Sequence, residues 1–167
     1  MSTKLIIIRG NSGSGKSTIA SELRYKMGYG TMLIPQDTVR RDIIRVADEP
    51  NNPAIELIAT IATYGNKIGY DVIIEGILNK DKYGLMLEEV AKHFDEVYAY
   101  YLDLTFEETL ARHATKEKSN EFGEKEMREW WVDKDYLAWP NEQLLKTELS
   151  KEDAIAMILS QVESTPS

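Results

Sequence analysis

The chain has 167 residues, enough for one domain with a sizeable core. Lys and Arg number 20 against 28 Asp and Glu, a net charge of −8, which argues against a protein that coats DNA or RNA with a basic surface but leaves room for one cationic pocket. The absence of cysteine excludes disulfides, thiolate metal sites and cysteine nucleophiles, and two histidines, His93 and His113, leave little for a histidine-rich metal site.

In chain order, Met1 to Lys4 run straight into the apolar residues 5–8, too short a run for a signal-peptide core and with no small-residue cleavage site behind it. No apolar stretch approaches the ~20 residues needed to cross a bilayer. A soluble, cytoplasmic protein without a membrane partner is expected. Residues 5–8, 32–34, 72–74 and 97–102 are continuous apolar runs, the pattern of strands buried on both faces of a parallel sheet. Helical spacing fills the stretches between: 17–27, 37–46, 54–68 and 85–94. Thr105 and Glu108 read as a capping box opening a helix to about His113, and Ser150 with Asp153 opens a last helix over 154–162. A weak fifth strand is expected near 143–145. Strand–helix alternation with no linker or repeat predicts one α/β domain over 1–167, a parallel sheet with helices on both faces.

Gly10-Asn11-Ser12-Gly13-Ser14-Gly15-Lys16-Ser17 matches G-x-x-x-x-G-K-[ST] in full. The spacing has a physical reason. A loop that wraps a β–γ phosphate pair with backbone N–H groups needs side chains absent at its tight points. Lys16 adds a full charge, Ser17 a hydroxyl ligand for Mg²⁺, and Thr18 continues into the helix. The alternative is a glycine-rich turn ending in a helix cap. The strand before it and the helix after it favour nucleotide binding.

Glu75 closes the run 71–75, at a strand's carboxyl end where open α/β sheets bind ligands. It reads as a water-bridged Mg²⁺ ligand, as an acceptor of a substrate hydrogen bond, or as a plain loop cap. Asp37 follows the second strand, with Arg40 three residues on. Asp37 is either a helix cap or the base that takes a proton from an acceptor hydroxyl. Arg112 and Lys116 stand where a helix dipole favours cations. They also precede the polar stretch 115–125, a solvated loop or a cover over the site, with Arg128 just beyond. His93, His113, Trp130, Trp131 and Trp139 read as packing residues, the tryptophans with base stacking as the less favoured role.

The glycine-rich loop, Gln36 to Arg40, Val72 to Gly76 and Leu102 to Arg112 together resemble the small P-loop kinases. Within them the chain is most similar to the branch holding the kinase domain of phage polynucleotide kinase, zeta toxins and chloramphenicol phosphotransferase. The resemblance spans residues 4 to about 163. It implies a five-stranded sheet in order 2-3-1-4-5, an ATP–Mg²⁺ donor and a lid near 115–128. By resemblance Asp37 falls on the catalytic aspartate, Arg40 on an acceptor-binding arginine, and Glu75 on the acid of the third strand. Arg112 and Lys116 fall on the basic positions at the lid's start. Lys116 stands where these kinases often carry arginine, and Arg128 is the candidate replacement. The expected activity is transfer of the γ-phosphate of ATP to a hydroxyl of a small molecule. The alternatives are a nucleotide or polynucleotide 5′-hydroxyl kinase, and a nucleotide switch with no acceptor.

Overall fold

The computed structural model describes residues 2–114, 123–146 and 148–164. Five parallel strands, β1 (Lys4–Gly10), β2 (Thr31–Pro35), β3 (Asp71–Gly76), β4 (Glu96–Leu102) and β5 (Glu142–Leu145), form one sheet in the order β2-β3-β1-β4-β5. This is the order the resemblance implies. Around it lie α1 (Lys16–Met27), α2 (Pro53–Lys67), α3 (Lys80–Ala91), α4 (Phe106–Ala114), α5 (Glu124–Trp130) and α6 (Lys151–Ser164).

Alternation along β1 sorts two cores. Leu5 and Ile7 join Val72, Ile74, Ile58, Leu87 and Val90 under α2 and α3. Ile6 and Ile8 join Ile73, Tyr100, Ile19, Leu23, Ile155 and Ile158 under α1 and α6. Each fully buried aliphatic side chain contributes about 1.5–3 kcal/mol, and both faces of the central strand are covered, which is why its sequence shows no polar alternation. Register then aligns the strands' carboxyl ends: Ile8 pairs with Glu75, Pro35 with Glu75, and Gly10 with Leu102. The loop after β1, Gln36–Asp37 after β2, and Glu75–Gly76 at the end of β3 therefore meet at one edge.

Both expected caps form. Thr105 N–H donates to Glu108 Oε2 at 3.0 Å and Glu108 N–H to Thr105 Oγ1 at 3.2 Å; Asp153 N–H donates to Ser150 Oγ at 3.1 Å. Three elements differ from the sequence reading. The third helix begins at Lys80 rather than residue 85, because Asn79 accepts from Asp81 N–H at 3.0 Å and caps a polar, solvent-facing first turn that apolar spacing does not reveal. The stretch after β2 is a short π-helix, Thr38–Ile43, and not an α-helix to residue 46. Its end is drawn into a loop by Val46 N–H donating to Arg40 O at 2.9 Å, with Arg45 at φ 49°. The third difference is α5, which lies in what reads as the end of a polar cover. Residues 115–122 of that cover, Lys116 among them, lie outside the described residues. Among the described residues no helix is long and apolar enough to cross a membrane.

Candidate active site

The loop between β1 and α1 is closed by backbone. Ser14 N–H donates to Asn11 O at 3.2 Å, and Gly15 opens α1 with Ile19 N–H donating to its carbonyl at 3.1 Å. Gly13 sits at φ 82°, and a Cβ there would lie 2.7 Å from Met127 Cε and 3.0 Å from Thr109 O. The loop is thus packed from behind by α4 and α5, and only glycine fits both the conformation and the space. Lys16 Nζ curls back to Asn11 O at 3.3 Å. Arg112, in the last turn of α4, donates from Nη1 to Ser14 O at 2.7 Å, which brings it against the loop. Lys151, at the start of α6, reaches the same place: its Cε lies 2.8 Å from where a Gly15 Cβ would be. Sequence reasoning misses Lys151, because a lysine opening a helix carries no signal of its own.

Beyond the loop lies a cavity of about 950 Å³. Ser12, Gly13, Gly15, Lys16, Ser17 and Thr18 form one end of it. Gly10, Asn11 and Ser14 support the loop from outside the cavity wall. Ser17 Oγ donates to Glu75 Oε1 at 3.1 Å, and Glu75 is 5% exposed. Hydroxyl and carboxylate oxygens in contact beside a phosphate loop are the hard donors Mg²⁺ prefers. Among the described residues no three His, Asp or Glu side chains gather as a cage.

The other end of the cavity is side chains from several elements. Asp37 lies at the start of the π-helix, is 60% exposed and makes no capping hydrogen bond. Arg40 Nη2 stands 3.8 Å and Arg41 Nε 4.0 Å from its carboxylate. Arg40 is mostly buried and also donates from Nη1 to Val46 O at 3.0 Å, bracing the loop that follows. That loop is fixed from across the cavity. Lys82 Nζ donates to Asp48 O at 2.6 Å, Tyr83 Oη to Asp48 Oδ1 at 2.6 Å, and Asn52 Nδ2 to Tyr83 Oη at 3.2 Å. Burial first, then the bond to Asp48, raises the Tyr83 pKa above its ordinary value, so it stays a donor. Gly76 lets β3 pass the buried Gln36, whose Oε1 accepts from Leu78 N–H at 2.8 Å.

Arg41, Asp48, Lys82, Glu129, Trp130 and Trp131 line the cavity and were not singled out as site residues. Arg41 adjoins Arg40 on the π-helix, Asp48 lies in the loop after it, Lys82 is on α3, and Glu129, Trp130 and Trp131 are consecutive at the end of α5; no spacing in the sequence links these segments to one another. For Trp130 and Trp131 the sequence favours packing over base stacking; both line the cavity. Trp131 also packs edge-on against Phe106 at 5.4 Å, and Trp139 lies against the core as expected. His113, also read as ordinary, is buried but reaches the wall. Arg128 stands outside it: its guanidinium lies 4.2 Å from the Phe106 ring centre and pairs with Glu124 at 2.9 Å.

One buried ion network supports the site from behind. Arg9, fully buried at the end of β1, donates from Nε and Nη2 to Leu78 O, from Nη1 to Asp135 O at 2.7 Å, and from Nη2 to Asp135 Oδ2 at 2.6 Å. Glu142 Oε2 lies 3.6 Å from Nη1. Burial pulls the Arg9 pKa below its ordinary value while Asp135 and Glu142 oppose it, and a guanidinium so paired stays charged.

No known protein-family profile matches the chain, and no curated protein matches it by sequence. Solved structures do. An APS kinase from Mycobacterium tuberculosis, in complex with AMPPNP and APS, superposes with a TM-score of 0.73 at 19% identity over 98% of this chain and 99% of that one. A gluconokinase from Sinorhizobium meliloti gives 0.64 at 17% identity, covering 97% and 98%. A chain of the Pnkp1/Rnl/Hen1 RNA repair complex gives 0.56 at 19%, covering 89% of this chain and 51% of that one. At such identities the likeness is one of architecture, and with the loop, sheet order and site edge described above, this chain has the fold of the small P-loop kinases.

Proposed function

We propose that the chain is an ATP-dependent phosphotransferase that phosphorylates a hydroxyl of a small molecule. One observation carries the reading: a single cavity holds Lys16, the Ser17–Glu75 pair and Asp37. A phosphate loop alone needs no carboxylate across the cavity, whereas transfer to an acceptor does.

The chain's residues divide the work. The backbone of residues 13–18 and the α1 N-terminus hold the β- and γ-phosphates. Lys16 leaves the Asn11 carbonyl for the phosphate oxygens. Mg²⁺, when bound, neutralises phosphate charge; Ser17 would hold it directly and Glu75 through water. Asp37 accepts the proton of the acceptor hydroxyl as its oxygen bonds to the γ-phosphorus. The bridge from that phosphorus to the β-phosphate oxygen breaks, and ADP leaves. Arg112 is within reach of the loop to add charge as the phosphoryl group transfers. Arg40, beside Asp37, orients the acceptor.

Two alternatives stay in view. The likeness to a chain of an RNA repair complex supports a polynucleotide 5′-hydroxyl acceptor, against which the net charge of −8 weighs. A nucleotide switch without acceptor has no use for the cavity beyond the loop. Incubation with γ-labelled ATP, Mg²⁺ and a panel of sugars, nucleosides, aminoglycosides and oligonucleotides separates the three. Label on a small molecule is the expected result. Label on oligonucleotide ends selects the second reading. Release as inorganic phosphate whatever the acceptor selects the third and removes the transferase.

A further inference from the structure

Asn11 belongs to the phosphate loop by sequence, yet its side chain is buried and does not line the cavity. It faces the chain that leaves α5. Asn11 Nδ2 donates to Val132 O at 2.7 Å, and Val132 N–H donates back to Asn11 Oδ1 at 2.8 Å. A carboxamide has one donor edge and one acceptor edge, so it pairs with a peptide unit as another peptide would. Asp lacks the donor, and Ala lacks both.

What Asn11 grips is the root of the cavity wall. Val132 directly follows Trp130 and Trp131, which line the cavity with Glu129. Earlier in α5, Met127 is buried against the loop at Gly13. Further on, Asp135 is tied to Arg9, the residue just before the loop. The same Asn11 peptide accepts from Lys16 Nζ at 3.3 Å and from Ser14 N–H at 3.2 Å. A phosphate that draws the Lys16 ammonium away therefore acts on the residue that holds Val132.

We infer that Asn11 is a positioning residue that fastens α5 to the phosphate loop, so that occupancy of the loop is transmitted to the Glu129–Trp131 wall of the acceptor cavity. The transmission rests on the kinase reading for what occupies the loop; the fastening does not.

Two measurements on Asn11→Ala test it. In the free protein, hydrogen exchange is followed at the amides of α5 and Val132. Loss of both bonds is expected to speed them by about tenfold or more, with α1 and α6 unchanged. In a Trp139→Phe background, with excitation beyond the tyrosine absorption band so that emission comes from Trp130 and Trp131, AMPPNP with Mg²⁺ is titrated by calorimetry and by fluorescence. The parent is expected to change its emission on binding. Asn11→Ala is expected to bind with an affinity within about threefold of the parent and to lose most of the change. A merely structural role would not separate binding from signal in this way. Asn11→Asp, which keeps the bond from Val132 N–H, is expected to lie between the two and serves if the alanine variant does not fold. Unchanged exchange in α5, or a full emission change in Asn11→Ala, overturns the inference. So does a tenfold loss of affinity with the emission change intact. A parent that binds no AMPPNP removes the kinase reading and the transmission with it, while the exchange rates still decide whether Asn11 fastens α5.

Discussion

At the donor end of the cavity the wall is mostly backbone: a glycine-rich turn, the opening of α1, and the small side chains of Ser12 and Ser17, packed from behind by Met127 and Thr109. At the acceptor end it is long side chains, Asp37, Arg40, Arg41, Asp48, Lys82, Glu129 and Trp130, drawn from the π-helix, the loop after it, α3 and α5. In the function proposed above, the first end fits one constant object, a polyphosphate, and backbone amides do that whatever the rest of the ligand is. The second end then chooses an acceptor, and choice is made with side chains. Variants at the donor end should therefore remove activity altogether. Variants at the acceptor end should separate nucleotide binding from transfer.

The largest effect is expected from Lys16→Ala. Lys16 lies on the cavity surface and in no core, so its loss removes charge at the phosphates without loosening the fold. Transfer should fall by roughly 10³ or more, with the melting temperature unchanged. A folded Lys16→Ala protein with ordinary turnover would take the donor role away from this end.

Asp37→Asn comes next and tests the other end. If Asp37 is the base, transfer falls by roughly 10²–10⁴ while ATP affinity holds. Asparagine caps helices as well as aspartate, and Asp37 makes no capping bond in the structure. Stability should therefore be unaffected. Turnover, calorimetric ATP affinity and melting temperature on this one variant separate the two roles; unchanged turnover removes Asp37 from the chemistry.

The contrast between the ends also explains what the sequence made legible. The donor end is encoded locally, in eight consecutive residues between an apolar run and a helix, so motif and context found it together. Strand order followed from the resemblance, and the strands themselves from apolar runs buried on both faces. The acceptor end is assembled by the fold. Asp37, Arg40 and Glu75, which line the cavity, are legible as candidates because each stands at the end of a strand or within a few residues of it. Asp48, Lys82 and Glu129 stand in a loop, on α3 and on α5, with no spacing to join them. The π-helix leaves no mark in the sequence, because Thr38–Ile43 has the composition of an ordinary helix, and it is the tie from Val46 to Arg40 that closes it early. The Asn11–Val132 pair spans 121 residues and leaves no local trace.

The support behind both ends can be broken at Arg9. Arg9→Met removes the cation from between Asp135 and Glu142, which are 15% and 3% exposed. Removing one partner of a buried ion pair leaves the others uncompensated, and a loss of about 3–5 kcal/mol is expected, measured by urea unfolding. Asp135 keeps its bond from Lys80 N–H at 2.8 Å, and Glu142 keeps those from Leu137 and Ala138 N–H, so the loss should fall toward the lower figure. A variant as stable as the parent would mean that Arg9 only fills space.

The smallest expected effect, at Gly76, separates the ends by structure rather than chemistry. An added Cβ there would lie 2.5 Å from Gln36 Oε1 and 2.6 Å from Gln36 Cβ. Gln36 cannot simply move aside: it is 2% exposed, and its Oε1 holds Leu78 N–H. Nor can the strands part, since Pro35 and Glu75, the residues just before Gln36 and Gly76, are ladder partners. Gly76→Ala should therefore destabilise by about 1–3 kcal/mol, a fall in melting temperature of roughly 2–4 °C for each kcal/mol in a chain of this size. The displacement should pass to Asp37, next to Gln36, and lower turnover. The atoms nearest the added methyl all belong to Gln36 and none to the phosphate loop, so AMPPNP affinity should hold. Equal losses of nucleotide affinity and turnover would show that the two ends respond as one, and the division between a backbone-built donor end and a side-chain-built acceptor end would have to be given up.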